Sequence, residues 1–168
     1  MKKISTLIVS MMVGIALMAQ TTPPSIYDVE ADAKSDVKAA IEKAAKEGKH
    51  VLLQVGGNWC PWCIKVHQFI HDDKTVDSLI TADYIFQLVN YSKENKNLEV
   101  MEMLGYPQRF GFPVFVILDG TGKVLHIQDS GYLEADKSYD TKKIQLFLKN
   151  WNRKAVDPES YKAKMKDK

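Results

Sequence analysis

The stretch that decides the fold runs from His50 to Cys63 and reads HVLLQVGGNWCPWC. Its first part, residues 50–55, is a short apolar run of the kind that forms a buried strand. A Gly-Gly-Asn run at 56–58 ends this strand and leads the chain into a Cys-Pro-Trp-Cys motif. Cys60 and Cys63 are the only two cysteines of the 168-residue chain. A multi-bridge disulfide scaffold is therefore excluded, and any sulfur chemistry has a single location.

Helical and strand patterns alternate on both sides of this stretch. Apolar residues recur at helical spacing over 32–46, and after the motif the pattern predicts helices to about residue 72 and again over 75–81. Strands are predicted over 84–91, 113–118 and 123–128, and helices over 98–104 and 141–152. The turn-rich run 119–122 predicts that the last two strands form an antiparallel hairpin. The order predicts an α/β fold, with a mixed central sheet, helices on both faces, and a C-terminal hairpin followed by a helix.

The N-terminus has the pattern of a secretory signal peptide. The chain starts with the basic run Met1-Lys2-Lys3, an apolar run follows over 7–19, and polar residues come after it. The run is shorter than the roughly 20 residues that span a bilayer, so an uncleaved anchor is the less favoured alternative. We expect cleavage after Ala19 or Gln20 and export, to a periplasm. The predicted organisation is a signal peptide at 1–19, a leader at 20–31 that begins as an extended, mobile Thr/Pro-rich run, a domain at 32–152, and a solvated Lys-rich tail at 153–168.

The charge balance argues against a polyanionic partner. The chain has 23 basic and 21 acidic residues, a formal net charge of +2. Loss of residues 1–19 removes Lys2 and Lys3 and no acidic residue, so the mature chain carries equal numbers of both signs. We therefore expect neither nucleic acid nor an anionic membrane surface as the main partner, and no stable membrane span after cleavage.

The motif and the strands around it carry a family resemblance. A strand that runs into Trp-Cys-Pro-Trp-Cys at a helix start, with Gly-Phe-Pro before a later apolar strand and hairpin, resembles the thioredoxin-like superfamily over about residues 32–151. The resemblance implies a three-layer thioredoxin-like fold and a thiol–disulfide oxidoreductase with no cofactor besides its redox-active disulfide. It also implies that Pro113 is cis, lies against the cysteine sulfurs, and leaves the backbone of Phe112 free to pair with an extended substrate.

Residue types at the motif suit this chemistry. If Cys60 caps a helix, its sulfur faces free backbone N–H groups and the positive end of the helix dipole, which favour the thiolate. Cys63 lies one turn further on and can attack a mixed disulfide on Cys60, so it is the expected resolving thiol. Pro61 suits the first helical turn, where no N–H is needed. Trp59 and Trp62 are expected to form an apolar rim for a substrate chain. An inert Cys60–Cys63 bridge is the alternative.

Gln54 departs from the family pattern. Thioredoxins have at this position a buried Asp that exchanges protons with the resolving thiol, and a neutral amide cannot act as a base. Three acceptors for the Cys63 proton remain open: a water or bulk solvent, Glu102, or His67. A slower resolving step is another possibility. Gln54 is equally well interpreted as a buried amide whose hydrogen bonds are made by its neighbours.

The sequence leaves the direction of the reaction open. The leading hypothesis is reduction or exchange of disulfides in exported proteins by a Cys60/Cys63 dithiol. Its partners are then protein or peptide thiols and disulfides and an unidentified electron donor or acceptor. A disulfide oxidase or isomerase is the alternative enzyme. A third hypothesis is a non-catalytic thioredoxin-fold protein that holds a substrate or a metal, since Cys60, Cys63 and His67 could supply three ligands to zinc or copper.

Overall fold

A four-stranded mixed sheet forms the middle layer of the computed structural model, which describes residues 25–166. Its strands are β1 (His50–Gly56), β2 (Tyr84–Asn90), β3 (Val114–Leu118) and β4 (Val124–Asp129). They lie in the order β2-β1-β3-β4. Strand β1 pairs parallel with β2 and antiparallel with β3. The antiparallel pairing of β3 with β4 confirms the predicted hairpin.

Helices cover both faces of the sheet, as predicted. They are α1 (Ala33–Glu47), α2 (Pro61–Asp72), α3 (Lys74–Asp83), α4 (Leu98–Met103), α5 (Thr141–Trp151), α6 (Arg153–Val156) and α7 (Glu159–Lys166). Apolar side chains of α1 and α4 pack on one face, and those of α2, α3 and α5 pack on the other. The three-layer α/β fold predicted from the sequence is therefore confirmed.

Strand β1 is buried along its whole length because it lies between two neighbours and under helices on both faces. Side chains of a strand point alternately to opposite faces. Val51, Leu53 and Val55 accordingly join the core under α1, whereas Leu52 joins the core under α2 and α5. Gln54 has the same parity as Leu52, which directs its amide toward α2 and the cysteine motif.

Short polar side chains set the starts of the helices. Asp32 caps α1, Asp73 caps α3 and Asp140 caps α5, each by accepting backbone N–H groups of the first turn. At the end of α1, Gly48 adopts the left-handed conformation with φ of 67°, which glycine adopts without steric cost. The cap at Asp73 separates α2 from α3, so the break predicted near residue 72 is found.

The described part of the predicted leader corrects the sequence-based prediction. Residues 25–31, here called the N-terminal strap, are packed on the domain, and Tyr27 is only 2% exposed. Backbone N–H groups of Ile26 and Tyr27 both donate to Asn58 Oδ1 at 2.9 Å. The prediction of an extended, mobile run is therefore wrong for residues 25–27, because hydrogen bonds and burial hold this segment on the domain. The predicted signal peptide at 1–19 and the leader up to residue 24 lie outside the described residues.

Two features at the C-terminal side were not predicted. A small hairpin of β5 (Glu134–Ala135) and β6 (Ser138–Tyr139) is inserted between β4 and α5. The predicted tail begins with the short helices α6 and α7, whose side chains are mostly exposed or half-buried. Between residues 25 and 166, no helix has both the length and the apolar character needed to cross a membrane.

Candidate active site

Cys60 and Cys63 lie at the N-terminus of α2 and are joined by a disulfide, with their Cα atoms 5.2 Å apart. Cys60 is the N-cap residue, and Pro61 is the first residue of the helix, as predicted. The backbone N–H of Cys63 donates to Cys60 Sγ at 3.2 Å. The exposed fraction is 5% for Cys60 and 0% for Cys63. In the reduced state the helix end therefore favours a thiolate on Cys60, the cysteine nearer to solvent.

The glycines after β1 allow the strand to approach the disulfide closely. A Cβ added at Gly56 would lie 2.5 Å from Cys63 Sγ and 2.8 Å from the Tyr27 hydroxyl oxygen. A Cβ added at Gly57 would lie 2.4 Å from Trp59 Nε1. No side chain fits at either position without displacement of these groups. The Gly-Gly pair is therefore required by the packing of the site.

Aromatic side chains lie next to the disulfide. The indole of Trp59 is 56% exposed, and its Nε1–H donates to the carbonyl of Tyr91 at 2.7 Å. The Phe112 ring packs edge-on against Trp59 with centroids 5.4 Å apart, and lies 4.9 Å from the Tyr91 ring. The Phe112–Pro113 peptide is cis, as the resemblance implied. Trp59 and Phe112 thus present an apolar surface next to the disulfide.

Trp62 occupies a different environment from Trp59. It is half-buried, and its ring packs edge-on against Tyr139 of β6 with centroids 5.6 Å apart. The Lys65 ammonium lies 4.3 Å from the ring centroid, a cation–π contact. The inserted hairpin therefore holds Trp62 from the side, so this residue offers less free surface to a substrate than Trp59 does.

The side chain of Gln54 extends from strand β1 to the cysteine motif. The residue is fully buried, and its Nε2 donates to the carbonyl of Cys63 at 3.1 Å and to the hydroxyl of Tyr27 at 2.6 Å. Its Oε1 is buried and has no hydrogen-bond partner among the described residues. Gln54 thus supports the Cys63 backbone and contacts the site without any capacity to take up a proton.

Of the two side chains considered as proton acceptors for Cys63, His67 lies one turn further along α2 and Glu102 lies on a different helix. Glu102 is exposed on α4, on the opposite face of the sheet from α2. His67 stacks on Phe86 and packs against His71 with ring centroids 4.5 Å apart. Partial burial, and to a lesser degree His71, lower the pKa of His67. In the part of the chain that the structure describes, no group of three or more His, Cys, Asp or Glu residues could hold a metal ion.

Tyr27 is the site residue that the sequence did not predict. It forms one buried cluster with Cys60 and Cys63. Burial raises the pKa of its phenol far above the ordinary value, although the Gln54 hydrogen bond acts in the opposite direction. The sequence offers no local sign of this position, because its partners Gln54 and Asn58 are distant along the chain. A lone aromatic residue in a polar leader is the only available signal.

Solved structures share this architecture. A disulphide isomerase from Xylella fastidiosa Temecula1 is 26% identical, with a TM-score of 0.68 over 77% of this chain and 98% of that one. A thioredoxin from Thermus thermophilus is 18% identical, with a TM-score of 0.51 over 71% of this chain and 85% of that one, a likeness of fold alone. No curated protein matches the chain.

A model of the thioredoxin-like domain matches residues 37–141. These residues contain β1, the cysteine motif, Phe112–Pro113 and the strands of the hairpin. The match covers more than half of the chain, and the protein is therefore a member of the thioredoxin-like family.

Proposed function

We propose that this protein is an exported thiol–disulfide oxidoreductase that reduces or exchanges disulfides of exported proteins. The observation that carries the proposal is the Cys60–Cys63 disulfide at the N-terminus of α2, with Cys60 as the cap. A pair three residues apart at a helix start closes a small loop, so its contribution to stability is modest. Reversible redox chemistry is the better explanation of its position.

The reduction of a substrate disulfide takes two steps. The Cys60 thiolate attacks one sulfur of the substrate disulfide, forms a mixed disulfide, and releases the other substrate sulfur as a thiolate. Cys63 then loses its proton to solvent and attacks Cys60 Sγ, so that the Cys60–Cys63 bond forms as the bond to the substrate breaks. The substrate leaves with two thiols, and the protein is left oxidised. An external electron donor must reduce it before the next turnover.

The surface next to the disulfide suits an unfolded or extended protein substrate. Exposed Trp59 and the ring of Phe112 supply apolar contacts, and the backbone of Phe112 lies beside the cis peptide bond. Trp62 contributes a smaller area because Tyr139 and Lys65 cover part of it. Aromatic side chains bury large apolar areas, and tryptophan is enriched at protein interfaces.

An isomerase is the second candidate, because the Xylella protein with 26% identity is described as a disulphide isomerase. Isomerisation uses the same first attack by Cys60 but needs no net electron transfer. The two activities separate in assays: reduction of insulin by dithiothreitol reports the reductase, and recovery of scrambled ribonuclease activity reports the isomerase.

Paired cysteine variants test the proposal. We expect Cys60→Ser to abolish insulin reduction, and Cys63→Ser to accumulate mixed disulfides with substrate proteins because the resolving thiol is gone. Export is tested by cell fractionation and N-terminal sequencing, with a new terminus expected at Gln20 or Thr21. A purified wild-type protein without activity that binds zinc or copper stoichiometrically would contradict the enzyme and favour the metal-holding alternative.

A further inference from the structure

Tyr27 is a buried ionisable residue beside Cys63 to which the two-step reaction gives no role. It is 2% exposed and belongs to the same buried cluster as both cysteines. Its hydroxyl oxygen and Cys63 Sγ both lie against Gly56, at 2.8 and 2.5 Å from the position of a Cβ there. Tyr27 precedes residues 37–141, which match the family model, so the strap adds it to the family's site from outside that region.

The hydrogen bonds around Gln54 fix the role of the Tyr27 hydroxyl. The Gln54 amide nitrogen faces the Cys63 carbonyl, which can only accept, so the amide orientation is determined. The same nitrogen donates its second proton to the Tyr27 oxygen at 2.6 Å. The Tyr27 O–H proton therefore remains available for another acceptor, and among the described residues no hydrogen bond uses it.

Apolar side chains surround much of the cluster that Tyr27 forms with the two cysteines. The apolar and aromatic side chains packed against it include Ile26, Trp62, Leu88 and Phe112. Two further titratable groups are nearby: the Tyr139 hydroxyl donates to the Trp62 carbonyl at 3.4 Å and acts electrostatically on Tyr27, and His67 lies one turn after Cys63 on α2, stacked on Phe86.

We propose that the Tyr27 hydroxyl donates a hydrogen bond to the Cys63 sulfur in the reduced protein and stabilises the thiolate that resolves the mixed disulfide. The proposal rests on the dithiol function proposed above. Solvent takes the proton from the Cys63 thiol, and the thiolate attacks Cys60 Sγ as the substrate sulfur departs with the electron pair of the broken bond. Tyr27 keeps its own proton throughout, since burial raises the pKa of its phenol. Tyr27 thus acts on Cys63 as a hydrogen-bond donor, while Gln54, at the position of the thioredoxin Asp, cannot exchange a proton.

Titration of a single cysteine tests this hydrogen bond directly. In a Cys60→Ser background, where serine is a favourable N-cap, carbon-13 at Cβ of Cys63 reports its ionisation by NMR. We expect Tyr27→Phe to lower the thiolate fraction at a fixed pH by about tenfold, because a hydrogen bond to a charged group is lost. Tyr84→Phe is the matched control: Tyr84 is equally buried, but its hydroxyl donates to the Leu148 carbonyl away from the site. It should leave the titration unchanged.

A second measurement leaves Tyr27 intact. With carbon-13 at Cζ of the tyrosines, the Tyr27 signal should shift over the same pH range as the Cys63 signal, and that of Tyr84 should not. A flat Tyr27 signal, or equal thiolate fractions with and without Tyr27→Phe, would overturn the inference even if the wild type reduces insulin. A wild type without redox activity would overturn the resolving role and the proposed function together, although the titration still reports the hydrogen bond.

Discussion

Asn58 fastens the N-terminal strap to the loop before Cys60, and Asn58→Ala is expected to release it. Asn58 Oδ1 accepts the backbone N–H groups of Ile26 and Tyr27, both at 2.9 Å. Its Nδ2 donates to the Tyr27 carbonyl at 2.8 Å and to Ser25 Oγ at 3.0 Å. One side chain therefore makes four hydrogen bonds to three consecutive residues.

The magnitude follows from the burial of these bonds. Three of them are partly buried, and each contributes about 1 kcal/mol net, whereas the exposed bond to Ser25 contributes little. The freed strap groups can regain water, so we expect a loss of about 2 kcal/mol in the free energy of unfolding. For a domain of this size the melting temperature should fall by roughly 4–8 °C.

Urea unfolding and amide hydrogen exchange measure the two parts of this effect. Exchange at the amides of Ile26 and Tyr27 should accelerate by about 30-fold, the equivalent of 2 kcal/mol. Asn152→Ala is the control, because Asn152 also makes two side-chain hydrogen bonds, to Asp83 and Ala155, but far from the strap. Unchanged protection of both strap amides in Asn58→Ala, with stability altered by less than about 0.5 kcal/mol, would refute this account of the strap.

Three further predictions concern the rest of the fold. The pKa of Asp73 is lowered from 3.8 to about 2 by hydrogen bonds from the hydroxyls of Thr141 and Thr75 and from backbone N–H groups. The Asp73 carboxylate therefore stabilises the fold above pH 4, and this contribution is lost as the pH falls toward 2. Acid titration of stability should therefore be shallower over that range in Asp73→Asn than in the wild type, and equal slopes would contradict the assignment. Gly56→Ala should destabilise the oxidised protein by about 1–3 kcal/mol in urea unfolding, because its Cβ would overlap Cys63 Sγ, and a neutral effect would be inconsistent with that packing. Leu148→Ala should lower the free energy of unfolding by about 2–5 kcal/mol because Leu148 is 1% exposed. Leu146→Ala should lower it by less than about 0.5 kcal/mol because Leu146 is 61% exposed. Similar losses for the two variants would argue against the packing of the Leu148 face of α5 on the sheet.

The layered domain could be predicted from the sequence because its signals are local. Strand β1 is a continuous apolar run, and α5 shows an apolar stripe at helical spacing, so each pattern maps directly onto burial in the structure. The helix start at the cysteine motif could also be predicted, because the positions of Cys60 as the cap and Pro61 in the first turn depend only on adjacent residues.

What could not be predicted depends on contacts between distant residues. Tyr27 is buried through Gln54 and Asn58, which lie in β1 and the loop after it, and no spacing rule connects them. The β5–β6 hairpin has only two residues per strand, too few for a periodic signal, yet it positions Tyr139 against Trp62. The cysteine pair could therefore be located from the sequence, whereas the contact of Tyr27 with it is established only by the fold.

The redox equilibrium of the Cys60/Cys63 couple tests the central claim most directly. The protein is equilibrated in dithiothreitol or glutathione buffers of known potential, the free thiols are alkylated, and the two forms are counted by mass spectrometry. We predict a single reversible two-electron transition between about −270 and −120 mV, the range of catalytic thioredoxin-fold disulfides. A disulfide that stays oxidised below about −300 mV would behave as a structural bridge and would contradict the proposed function.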